Sequence, residues 1–205
     1  MIVSLARALI ATLAIAVVLA VIPARAAALR FAVDPGQCEV ISVVAQPLTK
    51  FRGNAIGSFQ VRSGEISGDP ANPSVGAIVK LVFDASSYSS GNSRRDHAVA
   101  DEVLDSADYP DIKFESTGVQ DLAMDTPGAG SALISGNLTL RGETRQVGAL
   151  VSVVMIGTDR IEARGELTFR YPKFGLPVPP GLFGLVHASD EVTIKFRIVA
   201  IRAAS

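Results

Sequence analysis

A chain of 205 residues with a formal net charge of −1 has no basic excess with which to hold a nucleic acid. Its single cysteine, Cys38, excludes an internal disulfide, so the fold must rest on its core. The two histidines, His97 and His187, have no second histidine or cysteine near them at ligand spacing, which argues against a zinc or copper centre.

Residues 1–26 read as a cleavable signal peptide. Arg7 supplies the positive start, Ala8 to Ile22 is an uncharged apolar run, Pro23 breaks it, and Ala24-Arg25-Ala26 offers a small-residue cleavage site. The run is shorter than the roughly 20 apolar residues needed to span a bilayer, which favours cleavage over anchoring. The expected mature protein is therefore one domain, residues 27–205, exported to the periplasm with no further membrane span. Cys38 follows no lipobox pattern, and we expect it to be a small half-buried strand residue.

Past the leader the chain alternates with period two again and again. Leu29, Phe31 and Val33 share a face, as do Val75, Ala77, Val79, Leu81 and Phe83. Ala132, Ile134, Gly136, Leu138 and Leu140 form a third apolar face, and Ile161, Ala163, Gly165, Leu167 and Phe169 a fourth. Val192, Ile194, Phe196 and Ile198 close the series, opposite Thr193, Lys195 and Arg197. One greasy and one polar face per strand is the pattern of an antiparallel sheet with one solvated side. Asp34-Pro35-Gly36, Ser67-Gly68-Asp69-Pro70, Thr126-Pro127-Gly128 and Arg141-Gly142-Glu143 are turn signals between strands. Strands of eight to twelve residues suit a barrel, and Gly136 and Gly165 on the apolar faces suggest sharp bends. Pro172 to Pro180 reads as a loop at the barrel mouth.

A single helix interrupts the strands, near residues 93–107. Asn92 or Ser93 can cap it, Val99, Val103 and Leu104 share one side, and Pro110 is the expected stop. The predicted fold is therefore all-β, an extended antiparallel barrel of about eight strands with one short helix closing an end.

Catalysis finds little support. His97 beside Asp96 is not a dyad, because adjacent helical residues point to different sides, and no Gly-x-Ser-x-Gly elbow is present. No glycine-rich turn leads from a strand into a helix, as dinucleotide binding requires. What remains is the apolar face of the barrel. Ala77, Ala132, Gly136, Ala149, Ala163 and Gly165 interrupt the larger residues, which fits either a tapering filled core or a slot for one ligand.

Several segments, in order, resemble the YceI-like family of exported polyisoprenoid-binding proteins. They are Phe31-Ala32-Val33-Asp34-Pro35, Gly57-Ser58-Phe59 with Ser63-Gly64-Glu65-Ile66, and Arg95-Asp96 followed by Tyr109 to Ser116. Gly136 to Arg145, Phe174-Gly175-Leu176 and Asp190 to Ile194 complete the set. The resemblance implies a lipocalin-like barrel holding a long apolar ligand, such as a polyisoprenoid or isoprenoid quinone, with no cofactor of its own. After Arg95-Asp96 the family often has His-Leu and then a Phe-Phe pair, whereas here His97 follows directly and Val103-Leu104-Asp105 takes the place of the aromatics.

Together, alternation and resemblance lead us to expect a non-enzymatic binding protein. Phe59, Val79, Leu81, Phe83, Phe114, Leu138 and Leu140 are the expected apolar lining, continued by Leu167, Phe169, Phe174, Phe183, Ile194 and Phe196. Arg95 and His97 are expected at the rim, near a ligand head group at a mouth formed by Phe174 and Phe183. Two other classes stay open, an enzyme acting on an apolar substrate and a stress-response interaction protein with a filled barrel. Oligomeric state is open too, a homodimer included.

Overall fold

The computed structural model describes residues 29–45, 54–68, 77–178 and 189–203. Ten strand segments form one continuous antiparallel sheet: β1 (Leu29–Val33), β2 (Glu39–Val44), β3 (Ala55–Phe59), β4 (Val61–Gly68) and β5 (Ile78–Asp84), then β6 (Asp111–Thr126), β7 (Ala129–Leu140), β8 (Glu143–Ile156), β9 (Arg160–Arg170) and β10 (Glu191–Arg202). Their order is β1-β4-β5-β6-β7-β8-β9-β10-β2-β3, and a further pairing of β1 with β10 closes the ring.

Two of the strands are broken in the middle. β1 and β2 both run antiparallel to β10, with Phe31 opposite Arg202 and Val40 opposite Phe196. Between them the Pro35–Gln37 turn is held by Asp34, whose carboxylate accepts from the Gly36 amide at 3.1 Å. β3 and β4 are likewise separated only by Gln60, whose amide donates to Ser87 Oγ at 2.8 Å and whose carbonyl accepts from Asp84 N at 3.0 Å. Ten segments thus make eight barrel strands, each paired with its neighbour in sequence and the last with the first.

Inward and outward positions follow the alternation. Lys80 and Glu115 pair at 3.0 Å on the outside, and Thr139 and Thr144 hydrogen-bond there at 2.8 Å. Glu162 gathers Arg164 at 2.6 Å and Arg197 at 3.1 Å across β9 and β10, which holds its carboxyl below the ordinary range. Two strands are longer than the sequence suggests. β6 runs for 16 residues and β8 for 14. β6 outruns a simple alternation because its register on β7 shifts between Ser116 and Gly118 and again between Gln120 and Ala123, each shift turning the strand over to its other face.

Gly136 and Gly165 are not bends. β7 pairs with β8 without interruption from Ala129 to Leu140. A Cβ at Gly136 would overlap the Phe114 ring, and one at Gly165 would press on the Phe196 ring at 2.8 Å. These glycines make room for inward aromatic rings on the neighbouring strand. The two-residue Arg141-Gly142 turn has positive φ at both positions, 46° and 77°, the mirror-image turn that matches strand twist.

The helix, α1, is shorter than expected and stops differently. It runs α-helically over Ser93–His97 and continues as a wider π turn over Ala98–Val103. Asn92 caps its start, accepting from Arg95 N at 3.1 Å. Its end is not set by Pro110. Asp105 turns left-handed at φ 53°, and the Arg141 guanidinium donates to the carbonyls of Glu102 (3.2 Å) and Val103 (3.5 Å) while lying 3.3 Å from the Asp105 carboxylate. The β7–β8 turn therefore caps the helix and fastens it over one end of the barrel. Among the described residues no helix is long and apolar enough to cross a membrane.

Candidate functional site: an apolar cavity with two buried phenols

The inward side chains do not meet at the barrel axis. They enclose an elongated cavity of about 580 Å³, and none of the described residues lining it is Asp, Glu, Lys, Arg or His. The barrel is hollow because its inner face alternates bulk with gaps. Ala132, Ala149 and Ala163 line it beside Leu138, Leu140 and Leu167. A cavity of this size lies within the range that takes drug-sized ligands, and walls of hydrocarbon favour an apolar one.

Of the residues expected in the lining, Phe59, Val79, Leu81, Phe83, Phe114, Leu138, Leu140, Leu167, Phe169, Ile194 and Phe196 border the cavity. Phe174 does not. It is 1% exposed and sits behind the wall, edge-on to Phe169 with ring centroids 5.1 Å apart. Phe183 and His187 lie outside the described residues. Arg95 and His97 are absent from the lining, with His97 exposed and Arg95 half-buried on the helix. Neighbouring Asp96 ties the helix to the barrel instead, accepting from Ser90 N at 2.9 Å and Ser90 Oγ at 2.5 Å. Cys38 sits at the β1–β2 break, where its thiol donates to Asp34 O at 3.1 Å and accepts from Val199 N at 3.3 Å, and burial pushes its pKa up.

The two ends of the cavity differ. At the helix end the lining residues Val103, Leu104, Tyr171 and Leu176 are all buried. At the opposite end Met124, Gly128 and Met155, on the β6–β7 and β8–β9 hairpins, line the cavity and are exposed. Among the described residues the lining therefore reaches the surface at the hairpin end, not beside Phe174.

Polar atoms in the wall are few. Ser42, Tyr88 and Tyr171 lie toward the helix end, Ser67 and Ser131 toward the hairpins. Tyr171 is the next inward position after Leu167 and Phe169. The Tyr171–Phe174 turn that follows is locked by left-handed Gly175 (φ 63°) and by the buried Phe174. Arg145 donates to Lys173 O at 3.0 Å, and Lys173 donates to Gln146 O at 2.6 Å, pinning that turn to β8. Tyr88 is seated by Gly57, where any Cβ would overlap its ring, and packs on Phe59 with centroids 5.1 Å apart. Burial pushes the Tyr171 hydroxyl up to about 12, with nearby Tyr88 adding to the effect. Burial raises Tyr88 as well, opposed by the Ser42 hydroxyl and the Arg95 charge. Both are neutral donors at ordinary pH.

Neither tyrosine was among the residues expected from sequence. Tyr171 is legible as the continuation of the β9 alternation, two residues beyond Phe169. Tyr88 carries no periodic signal, since it lies after the Ala85–Ser87 turn.

The family model for the YceI-like domain matches residues 31–200. The chain belongs to the YceI-like family. A UPF0312 protein of Shewanella baltica (strain OS195) is 31% identical over 153 residues, covering 72% of this chain and 74% of that protein. A second, from Shewanella sp. (strain W3-18-1), is 29% identical over the same shares. Among solved structures, a polyisoprenoid binding domain from Saccharophagus degradans superposes with a TM-score of 0.67 at 19% identity, over 84% of this chain and 98% of that one. Burkholderia cenocepacia BcnA gives 0.64 at 22% identity, over 82% and 98%. At such identities the likeness of these structures is one of fold. Within the YceI-like fold the matching motifs now have positions. Gly57 seats Tyr88, Gly136 accommodates Phe114, Arg141 caps the helix, and Phe174-Gly175 forms the turn that follows Tyr171.

Proposed function

We propose that this YceI-like protein is an exported carrier or sequestering protein that holds a long apolar ligand, a polyisoprenoid or isoprenoid quinone, inside its barrel. The observation that carries the reading is the 580 Å³ cavity without a charged residue among its described lining. Each methylene-sized group moved from water into such a wall is worth about 0.8 kcal/mol, so a chain of several isoprene units outweighs an association cost of roughly 4–15 kcal/mol. The neighbour named as a polyisoprenoid binding domain supports the same ligand class. A binding rather than catalytic role is favoured by the chemistry of the wall, which offers hydroxyls and hydrocarbon to whatever it encloses, with His97 on the outside of the helix. Export rests on the signal-like residues 1–26, which lie outside the described residues.

Native mass spectrometry of the protein purified from whole cells tests both parts. The expected result is a mature chain beginning near Ala27 that carries a lipid-sized adduct. A full-length chain starting at Met1 would remove the export reading. A ligand-free protein that takes up no isoprenoid quinone on incubation would remove the binding one.

A further inference from the structure

At its helix end the cavity presents hydroxyls that a hydrocarbon ligand does not use. Tyr171 is 8% exposed, lines the cavity, and forms no side-chain hydrogen bond among the described residues. Among those residues no side-chain nitrogen or oxygen is both sealed in and unpartnered. The Tyr171 oxygen therefore borders open space, and the space it borders is the cavity. Tyr88, 9% exposed, is close enough for the two phenols to influence each other, and Ser42 stands beside it. A phenol that faces a cavity and has no acceptor among the described residues is free to donate to a ligand placed there.

We infer that Tyr171, with Tyr88 and Ser42 beside it, is a head-group site for an uncharged hydrogen-bond acceptor, a carbonyl oxygen such as that of a quinone ring. The inference rests on the apolar-ligand reading above and adds the chemistry of the head and its place in the barrel. The head lies at the helix-covered end, and the tail runs toward Met124 and Met155. A phosphate or pyrophosphate head is disfavoured there, because no described lining residue is cationic and a charge so far from water has nothing to pair with. The turn chemistry serves this site. Phe174 behind Phe169, left-handed Gly175 and the Arg145–Lys173 contact hold the residue after β9 in place, and the space left by Gly57 admits the Tyr88 ring.

The test compares three probes of equal tail length on the whole mature protein: a benzoquinone with a decyl tail, decylbenzene and decyl phosphate. Wild type is expected to bind the quinone best. Tyr171→Phe, which removes only the hydroxyl, is expected to lose about tenfold in quinone affinity and nothing for decylbenzene. Its ligand-free melting temperature is expected to stay level, since the hydroxyl holds no partner among the described residues. An equal loss for quinone and decylbenzene, or a lower melting temperature without ligand, would show that Tyr171 is structural and overturn the head-group site. Unchanged quinone affinity in Tyr171→Phe, or decyl phosphate binding as tightly as the quinone, would overturn it while leaving the apolar carrier intact. A wild type that binds none of the three would overturn both.

Discussion

Tyr171 carries an ionisation that can be read out without any ligand. Its ordinary pKa is 10.0 and the folded environment pushes it up to about 12, first through burial and then through Tyr88. Between those values the unfolded chain releases the phenol proton and the folded chain keeps it. The contribution of Tyr171 to stability is therefore constant below about pH 10 and is lost as pH rises toward about 12. In Tyr171→Phe that alkaline slope should shrink, leaving the part due to Tyr88, which is raised in the same direction. Urea midpoints collected across this range for both proteins decide the matter, and identical slopes would mean the phenol is solvated. The acidic side depends on other groups. Asp84, lowered by Ser86 and Arg62, and Glu162, lowered by Arg197 and Arg164, stabilise the fold above their unfolded pKa values and lose that contribution as pH falls through the folded ones.

At the scale of the element, the helix is held by a turn far away in sequence. α1 presents Val99, Val103 and Leu104 to the cavity, and its last carbonyls find Arg141 on the β7–β8 hairpin. Arg141→Asn tests that link cleanly, because asparagine tolerates the left-handed backbone at φ 46° while removing the guanidinium. A loss of about 1 kcal/mol is expected, a drop of roughly 2–4 °C in Tm for a domain of this size. Faster hydrogen exchange at the Leu104 and Ser106 amides, which bond back to Val99 and Ala100, should accompany it. If exchange there is unaltered, the helix is kept in place by its apolar side alone.

For the whole molecule the deciding property is that the barrel is hollow. Leu138 is 5% exposed, belongs to the wall and lines the cavity. Leu138→Trp should therefore place its added bulk in empty space, with stability changing by less than about 1 kcal/mol and lipid uptake lost. In a filled barrel the same change would overpack the core and cost roughly 1–3 kcal/mol. A large fall in stability would show that the space closes in solution and that the carrier function is misassigned.

Much of this architecture is written locally. Period-two alternation names the inward residues of β5, β7, β9 and β10, because consecutive side chains on a strand must point to opposite faces whatever the strand is paired with. Asp34-Pro35-Gly36 and Arg141-Gly142 mark turns for equally local reasons of backbone geometry. Other features depend on partners distant in the chain. Residues 112–116 alternate apolar and polar, Ile112 and Phe114 against Lys113 and Glu115, but only pairing with β7 draws β6 out to Thr126 through its register shifts. Gly136 and Gly165 look like bends until Phe114 and Phe196 are seen to occupy the space they leave. Pro110 looks like the helix stop until Arg141 is found on the carbonyls a turn earlier. The hollow interior and the phenols at its helix end belong to this second kind. Alternation sets the direction of each side chain, but the volume left between opposite walls depends on closing eight strands into a ring, and that only the tertiary structure decides.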